Sequence, residues 1–284
     1  MTLGAFLCVL WMRDKDGQPR FAPRGERRVR ALFERCVRPD LILGTSDGAL
    51  NGLIVAADPS TSSVDRLLEL WNDVSESNEV YADATWKQVR RAVRTGTHLH
   101  SSRPLRERLE REFGGTTFAD LAVEFQCCAA SIERAAEHWF DSGPVVPAVV
   151  ASAAVPGLLP PAEVDGEHYL DGGIVNSIPV GRAVEVGADR VFVLQVGRVD
   201  RPLVPPRKPW EVARVSFEIA RRHRFARELA EMEAKSRSKA WKRGSPRSGD
   251  QRGSSRSKAF VVPYGTASER LRIASAASRS PNCT

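Results

Sequence analysis

Residues 41–52, with the sequence LILGTSDGALNG, join a run of branched apolar residues to a Gly-x-Ser-x-Gly pattern centred on Ser46. The apolar run predicts the end of a buried strand, and the apolar residues after Gly48 predict a helix that ends before Pro59. Gly44 and Gly48 leave room where such a turn is crowded. The turn exposes a hydroxyl beside a helix N-terminus, which favours developing negative charge. A plain strand-to-helix turn has a similar composition, but this context favours a nucleophile elbow.

Strand and helix patterns alternate along the chain. Residues 1–12 are compatible with a first strand, and apolar spacing from Glu26 onwards predicts an amphipathic helix. Residues 121–128 have the composition of a buried strand, and residues 190–196 carry the clearest signal of a buried parallel strand. The alternation predicts an α/β fold with a parallel sheet covered by helices. Further helices are predicted after the N-cap residues 60–63 and over residues 103–113, 180–186 and 210–232.

The overall composition is that of a soluble globular protein with a full core. The chain has 284 residues, of which 42% are hydrophobic and 27% charged. Its five cysteines are an odd number without a framework spacing, which predicts reduced thiols in an intracellular protein. The apolar residues 3–12 are too short to span a bilayer and no basic residue precedes them, which argues against a signal peptide or anchor. We therefore expect a cytoplasmic protein.

The net charge of +7 comes from one segment. Residues 235–258 contain nine lysines and arginines against one aspartate, so the rest of the chain is close to neutral. This composition predicts a disordered basic linker. With only Trp241 as an aromatic residue, the segment does not resemble a nucleic-acid platform. Attraction to an anionic membrane surface fits it better, so we expect peripheral contact with such membranes.

Three stretches carry a resemblance to a known family. They are residues 39–51 (PDLILGTSDGALN), residues 151–157 (ASAAVPG) and residues 169–179 (YLDGGIVNSIP). Together they resemble the patatin-like phospholipases, which are serine acyl hydrolases related to cytosolic phospholipase A2, and a weaker likeness runs from about residue 25 to residue 231. The resemblance implies a three-layer α/β/α sandwich with a mostly parallel central sheet.

The resemblance also implies a Ser–Asp dyad, with Ser46 as nucleophile and Asp171 as its base. A serine hydroxyl needs a hydrogen-bonded base, and a carboxylate held by the turn at Gly172 and Gly173 could accept its proton. The implied reaction is cleavage of a phospholipid or acylglycerol ester through an acyl-enzyme, without metal or cofactor. Taken alone, Asp-Gly-Gly is also the composition of a plain turn.

The chain departs from the family pattern before the elbow. Where the family has a run of glycines followed by Arg-Gly, residues 20–25 are RFAPRG, so only Arg24 and Gly25 match. Pro23 has no N–H, and loss of one oxyanion donor costs on the order of 3 kcal/mol in the barrier. Asp47 stands where the family has a small or apolar residue; it suits the helix dipole but opposes an adjacent oxyanion. The residues expected to position the reacting groups are Arg24, Gly25, Gly44, Asp47, Gly48, Gly172 and Gly173.

Two alternatives to an active Ser–Asp hydrolase stay open. One is a catalytically inactive protein of the same fold that binds lipid or a partner, which the altered glycine loop favours. The other is a Ser–His–Asp hydrolase, because Ser46, Asp171 and His223 occur in the chain order of the α/β-hydrolases. His98 and His100 form a His-x-His pair, which is too few ligands for a metal site. The sequence carries no signal for an oligomeric state.

The expected domain organisation has four parts. Residues 1–24 form a divergent N-terminal segment, residues 25–234 the hydrolase domain, and residues 235–258 the basic linker. A short strand and tail complete the chain over residues 259–284.

Overall fold

The computed structural model describes residues 5–10, 29–77, 98, 100–188, 190–195, 202–207, 212, 215–228, 230 and 231. The predicted oxyanion segment with Arg24 and Gly25 lies outside these residues. The basic segment 235–258 and the predicted strand after it also lie outside them.

The described strands are β1 (Ala5–Leu10), β2 (Leu41–Thr45), β3 (Glu124–Ser131), β4 (Ala136–Phe140), β5 (Ala162–Val164), β6 (Glu167–Asp171) and β7 (Arg190–Gln195). They form one seven-stranded mixed sheet, in which hydrogen-bonded neighbours follow the path β5-β6-β3-β2-β1-β7. Strand β4 pairs with one edge of β3, whereas β2 and β6 pair with successive parts of its other edge. Strands β3, β2, β1 and β7 are mutually parallel, and β4, β5 and β6 enter through antiparallel pairings.

Helices connect the strands, as the alternating pattern predicts. No helix among the described residues is long and apolar enough to cross a membrane. Residues 29–33 and 215–228 are helical as well, and Phe118–Asp120 and Gly172–Ile174 form 3-10 turns. The remaining helices are α1 (Asp47–Ala57), α2 (Thr61–Ser77), α3 (Arg103–Phe113), α4 (Val145–Ser152) and α5 (Val180–Glu185).

Strand β2 separates two hydrophobic cores. All five of its residues are buried, and their side chains alternate between the two faces of the sheet. Ile42 packs into the core made with α1 to α4, whereas Leu41 and Leu43 pack into the core made with α5. A strand covered on both faces is a continuous apolar run, which is why this segment was recognisable in the sequence. The predicted α/β sandwich is confirmed.

Two local predictions need correction. Strand β3 begins at Glu124, three residues after the predicted start, and just before it the backbone N–H of Val123 donates to the carbonyl of Ala56 at 3.0 Å instead of to a neighbouring strand. The cysteines are not all reduced thiols: Cys36 is disulfide-bonded, whereas Cys127 and Cys128 are free and buried. Spacing along a chain does not reveal which cysteines meet in space, so the count alone was misleading.

Candidate active site

Strand β3 brings Ser46 and Asp171 together. Strand β2 runs parallel to it and ends with Thr45 opposite Cys128, while β6 runs antiparallel and ends with Asp171 opposite Ala129. Because β4 occupies the other edge of β3 at these positions, β2 and β6 lie along the same edge. The carboxyl end of β2 therefore meets the carboxyl end of β6 beside two adjacent residues of β3.

Ser46 occupies a sharp turn between β2 and α1. Its backbone has φ 57° and ψ −124°, in a region that residues with a side chain rarely adopt. A Cβ atom at Gly44 would lie 2.6 Å from the Cα of Ala49 and from the carbonyl oxygen of Gly48, so this position requires glycine. Backbone strain of this kind costs about 1–3 kcal/mol and persists only where surrounding contacts hold it.

Ser152 supplies one of those contacts. The backbone N–H of Ser46 donates to Ser152 Oγ at 3.0 Å, and that hydroxyl donates to the carbonyl of Cys128 at 2.6 Å. Ser152 is fully buried at the end of α4. The sequence marked it only as part of a matching stretch, because one serine in a small apolar run gives no signal of its contacts.

Asp171 is buried beside the serine. Its Oδ2 atom accepts the Ser46 hydroxyl at 2.5 Å, and its Oδ1 atom accepts the backbone N–H of Gly173 at 2.7 Å. The residue is 1% exposed, and burial raises the pKa of its carboxyl to about 6, although the two hydrogen bonds act in the opposite direction. The carboxyl is thus mostly ionised at neutral pH but more basic than an exposed one.

The two glycines after Asp171 are closely packed. A Cβ atom at Gly172 would lie 2.1 Å from the carbonyl oxygen of Cys128, and one at Gly173 would lie 2.8 Å from Cζ of Phe217. The turn can therefore approach the backbone of β3 only because Gly172 has no side chain, whereas at Gly173 the nearest atom is the end of a side chain on the helical segment 215–228. The sequence singled out both glycines, but it did not identify these neighbours.

Asn176 links the turn that carries Asp171 to the turn that carries Ser46. Its backbone N–H donates to the carbonyl of Gly172 at 2.7 Å, and its own carbonyl accepts the Thr45 hydroxyl at 2.8 Å. The sequence predicts no role for Asn176, whose only signal is its position within the stretch 169–179.

Two other residues that the sequence singled out, Asp47 and His223, take no part in the Ser46–Asp171 hydrogen bond. Asp47 is the first residue of α1 and is partly buried, and its proposed influence on an oxyanion stays a prediction. His223 is exposed on the segment 215–228, and the direct Ser46–Asp171 hydrogen bond leaves no imidazole between the two groups. Among the described residues, no group of three or more histidine, cysteine, aspartate and glutamate side chains could hold a metal ion.

An α/β sandwich with a serine on a strand-to-helix turn and a carboxylate bonded to it has the architecture of a serine hydrolase. The patatin-like phospholipase family model matches residues 28–184, which is more than half of the chain. The chain therefore belongs to the patatin-like phospholipase family.

Relatives support the same assignment over a limited region. A patatin-like phospholipase domain-containing protein of Caenorhabditis elegans is 29% identical over 176 residues, covering 61% of this chain and 15% of the relative. A lysophospholipase of Candida glabrata is 30% identical over 173 residues, covering 61% and 10%. The corresponding lysophospholipase of Saccharomyces cerevisiae is 27% identical over 173 residues, also covering 61% and 10%. The chain thus spans a small part of these much longer proteins.

Proposed function

We propose that this chain is a serine acyl hydrolase that cleaves phospholipid or acylglycerol esters through an acyl-enzyme on Ser46, with Asp171 as general base. The observation that carries the proposal is the direct 2.5 Å hydrogen bond from the Ser46 hydroxyl to a buried carboxylate. A hydroxyl is a weak nucleophile until an adjacent base can take its proton.

The reaction proceeds in two acyl transfers. Ser46 Oγ attacks the ester carbonyl while its proton passes to Asp171 Oδ2, and the protonated carboxyl then gives that proton to the departing alcohol. Water next attacks the acyl-enzyme, Asp171 accepts a proton from it, and the carboxyl returns this proton to Ser46 Oγ as the fatty acid leaves. A carboxyl with a pKa of about 6 is suited to both directions of transfer.

The developing oxyanion needs donors other than the amide of Ser46, because that N–H is already bonded to Ser152. The N-terminus of α1 provides a favourable field at this point, since Ser46 is its N-cap residue. Arg24, Gly25 and their neighbours are the segment in which we expect further backbone donors.

We infer a lysophospholipid, with a single acyl chain, as the first substrate to test, because several relatives are named lysophospholipases. Basic residues of the segment 235–258 would add attraction to an anionic lipid surface, at about 1 kcal/mol for each residue near it. Peripheral membrane contact is therefore part of the proposal.

The experiment measures fatty acid release from lysophospholipid micelles, diacyl phospholipid vesicles and emulsified acylglycerol. We expect release by the wild type and none by Ser46→Ala or Asp171→Asn, with His223→Gln as a matched variant that stays active. A folded wild type that binds lipid vesicles but releases no fatty acid from any of them would favour the inactive lipid-binding alternative. Loss of activity in His223→Gln would instead favour the Ser–His–Asp alternative.

A further inference from the structure

We propose that the helical segment 215–228 belongs to the active site. The segment positions the turn that carries Asp171, and it does so through an ion pair between Arg224 and Glu137. This inference rests on the proposed function, because it assigns Asp171 the role of base. The family match ends at residue 184, so the segment lies beyond the part of the chain that the family model matches.

The first contact runs through Asn176. Its side-chain Nδ2 donates to Glu137 Oε2 at 3.1 Å, and the same carboxylate oxygen accepts Arg224 Nη2 at 2.9 Å. Asn176 is 2% exposed, and its backbone is bonded to Gly172 on one side and to Thr45 on the other. The Glu137 carboxylate therefore holds the residue that joins the base-bearing turn to the nucleophile turn.

A second contact is independent of the ion pair. The ring of Phe217 lies against Gly173, where a Cβ atom would come within 2.8 Å of Cζ. Gly173 is the residue whose N–H donates to Asp171 Oδ1. Segment 215–228 thus packs against Gly173, whose amide holds one oxygen of the Asp171 carboxylate. The other oxygen of that carboxylate faces Ser46.

The guanidinium of Arg224 is itself held in place. Its Nε atom donates to Glu228 Oε1 at 2.8 Å, and Glu228 Oε2 accepts the backbone N–H of Gly181 at 3.1 Å. Arg224 therefore bridges two carboxylates, one on β4 and one that anchors the segment to the start of α5. A planar guanidinium suits this role because its donors have fixed directions.

Because the Arg224–Glu137 ion pair is partly exposed, its loss should affect the rate and the stability differently. The side chains of Arg224 and Glu137 are 43% and 30% exposed, and exposed ion pairs add little to folding stability. A base displaced by a fraction of an ångström, however, loses much of its effect on rate. Breaking this pair should therefore lower the rate far more than it lowers stability.

The test measures the rate constant for covalent labelling of Ser46 by a fluorophosphonate, together with kcat and KM for ester hydrolysis. In Arg224→Gln and in Glu137→Gln we expect labelling and kcat to fall about tenfold with KM unchanged, because the reacting groups are misplaced while substrate binding is retained. Arg224→Lys, which keeps a positive charge opposite both Glu137 and Glu228, should recover part of this loss.

A matched control pair is available. Arg66 Nη2 contacts Glu112 Oε2 at 3.1 Å, with side chains 46% and 23% exposed, and it joins α2 to α3. Arg66→Gln and Glu112→Gln should keep the wild-type labelling rate. A wild type that labels normally, with Arg224→Gln and Glu137→Gln labelling equally fast, overturns this inference alone. The inference is also overturned if Arg66→Gln and Glu112→Gln slow labelling as much as Arg224→Gln and Glu137→Gln do, and the rescue variant Arg224→Lys restores none of the rate. A wild type that is not labelled at all overturns the proposed function with it.

Discussion

The Ser46 hydroxyl is bonded directly to the Asp171 carboxylate although the two residues are 125 positions apart in the chain. The pairing depends on β3, which contains neither residue: β2 and β6 end opposite its neighbouring residues Cys128 and Ala129. The register of one buried strand therefore sets the distance between the Ser46 hydroxyl and the Asp171 carboxylate.

The buried carboxylate should cost stability at neutral pH. The pKa of Asp171 is raised from 3.8 to about 6 in the folded protein, mainly by burial. A raised carboxyl pKa means that this group's contribution to stability is fully present below about pH 4 and is lost as the pH rises through about 6. Asp171→Asn, which removes the ionisable group, should therefore be more stable than the wild type at pH 8, by about 3 kcal/mol. Urea denaturation at pH 8 and pH 4 checks this, and a gain that persists at pH 4 would contradict it.

The pH profile of catalysis should report the same group. Asp171 must be ionised to accept the serine proton, so kcat/KM for an uncharged ester should rise through about pH 6 and then level off. An ordinary exposed aspartate would give a rise near pH 4. Steady-state rates between pH 4 and pH 9 measure the midpoint. A rise near pH 7 that disappears in His223→Gln would assign the base to a histidine instead.

Gly172 should not tolerate a side chain. In Gly172→Ala the new Cβ atom would lie 2.1 Å from the backbone carbonyl of Cys128, and no side-chain rotation relieves a clash with backbone. We expect a loss of about 1–3 kcal/mol or more in unfolding free energy, with loss of activity. Gly115→Ala is the control: its space is open, and its φ of +81° should cost about 1–2 kcal/mol without affecting the rate. A Gly172→Ala protein with wild-type activity would contradict the register described above.

Ser152 should affect both the rate and the stability. Ser152→Ala removes the acceptor of the Ser46 amide and the donor to Cys128, and it leaves the strained turn less well held. We expect about 1–3 kcal/mol less stability, because two backbone groups lose their partner, and a fall in kcat of about tenfold with unchanged KM. Ser63→Ala is the matched control, because Ser63 is also buried and its hydroxyl donates to a backbone carbonyl at 2.8 Å. Equal kinetic effects in both variants would show that the loss comes from stability alone.

The elements around the elbow were predictable because their signals are local. The apolar run of β2, the Gly-x-Ser-x-Gly pattern and Pro59 fix strand, turn and helix within a few residues of each other. Helix α3 was bounded correctly for the same reason, since Gly114 follows its last residue. The pairing of Ser46 with Asp171, in contrast, came from family resemblance, because no local pattern relates residues so far apart.

What the sequence did not reveal depends on tertiary contacts. Strand β4 is short and partly exposed, so its residues AEHWF show neither an apolar run nor a clear alternation. Strand β5 has three residues and forms only by pairing with β6. The contacts of Ser152 and Asn176 with the site likewise follow from packing between distant segments, which composition and periodicity do not record.

The most direct test of the Ser46–Asp171 mechanism is the site and rate of covalent attachment when the full chain reacts with a fluorophosphonate, measured by peptide mass spectrometry. The mechanism predicts one adduct on Ser46, none in Ser46→Ala, and a rate lowered by roughly 10²–10⁴-fold in Asp171→Asn. A folded wild type that forms no adduct on Ser46, or an Asp171→Asn protein that reacts as fast as the wild type, would contradict it.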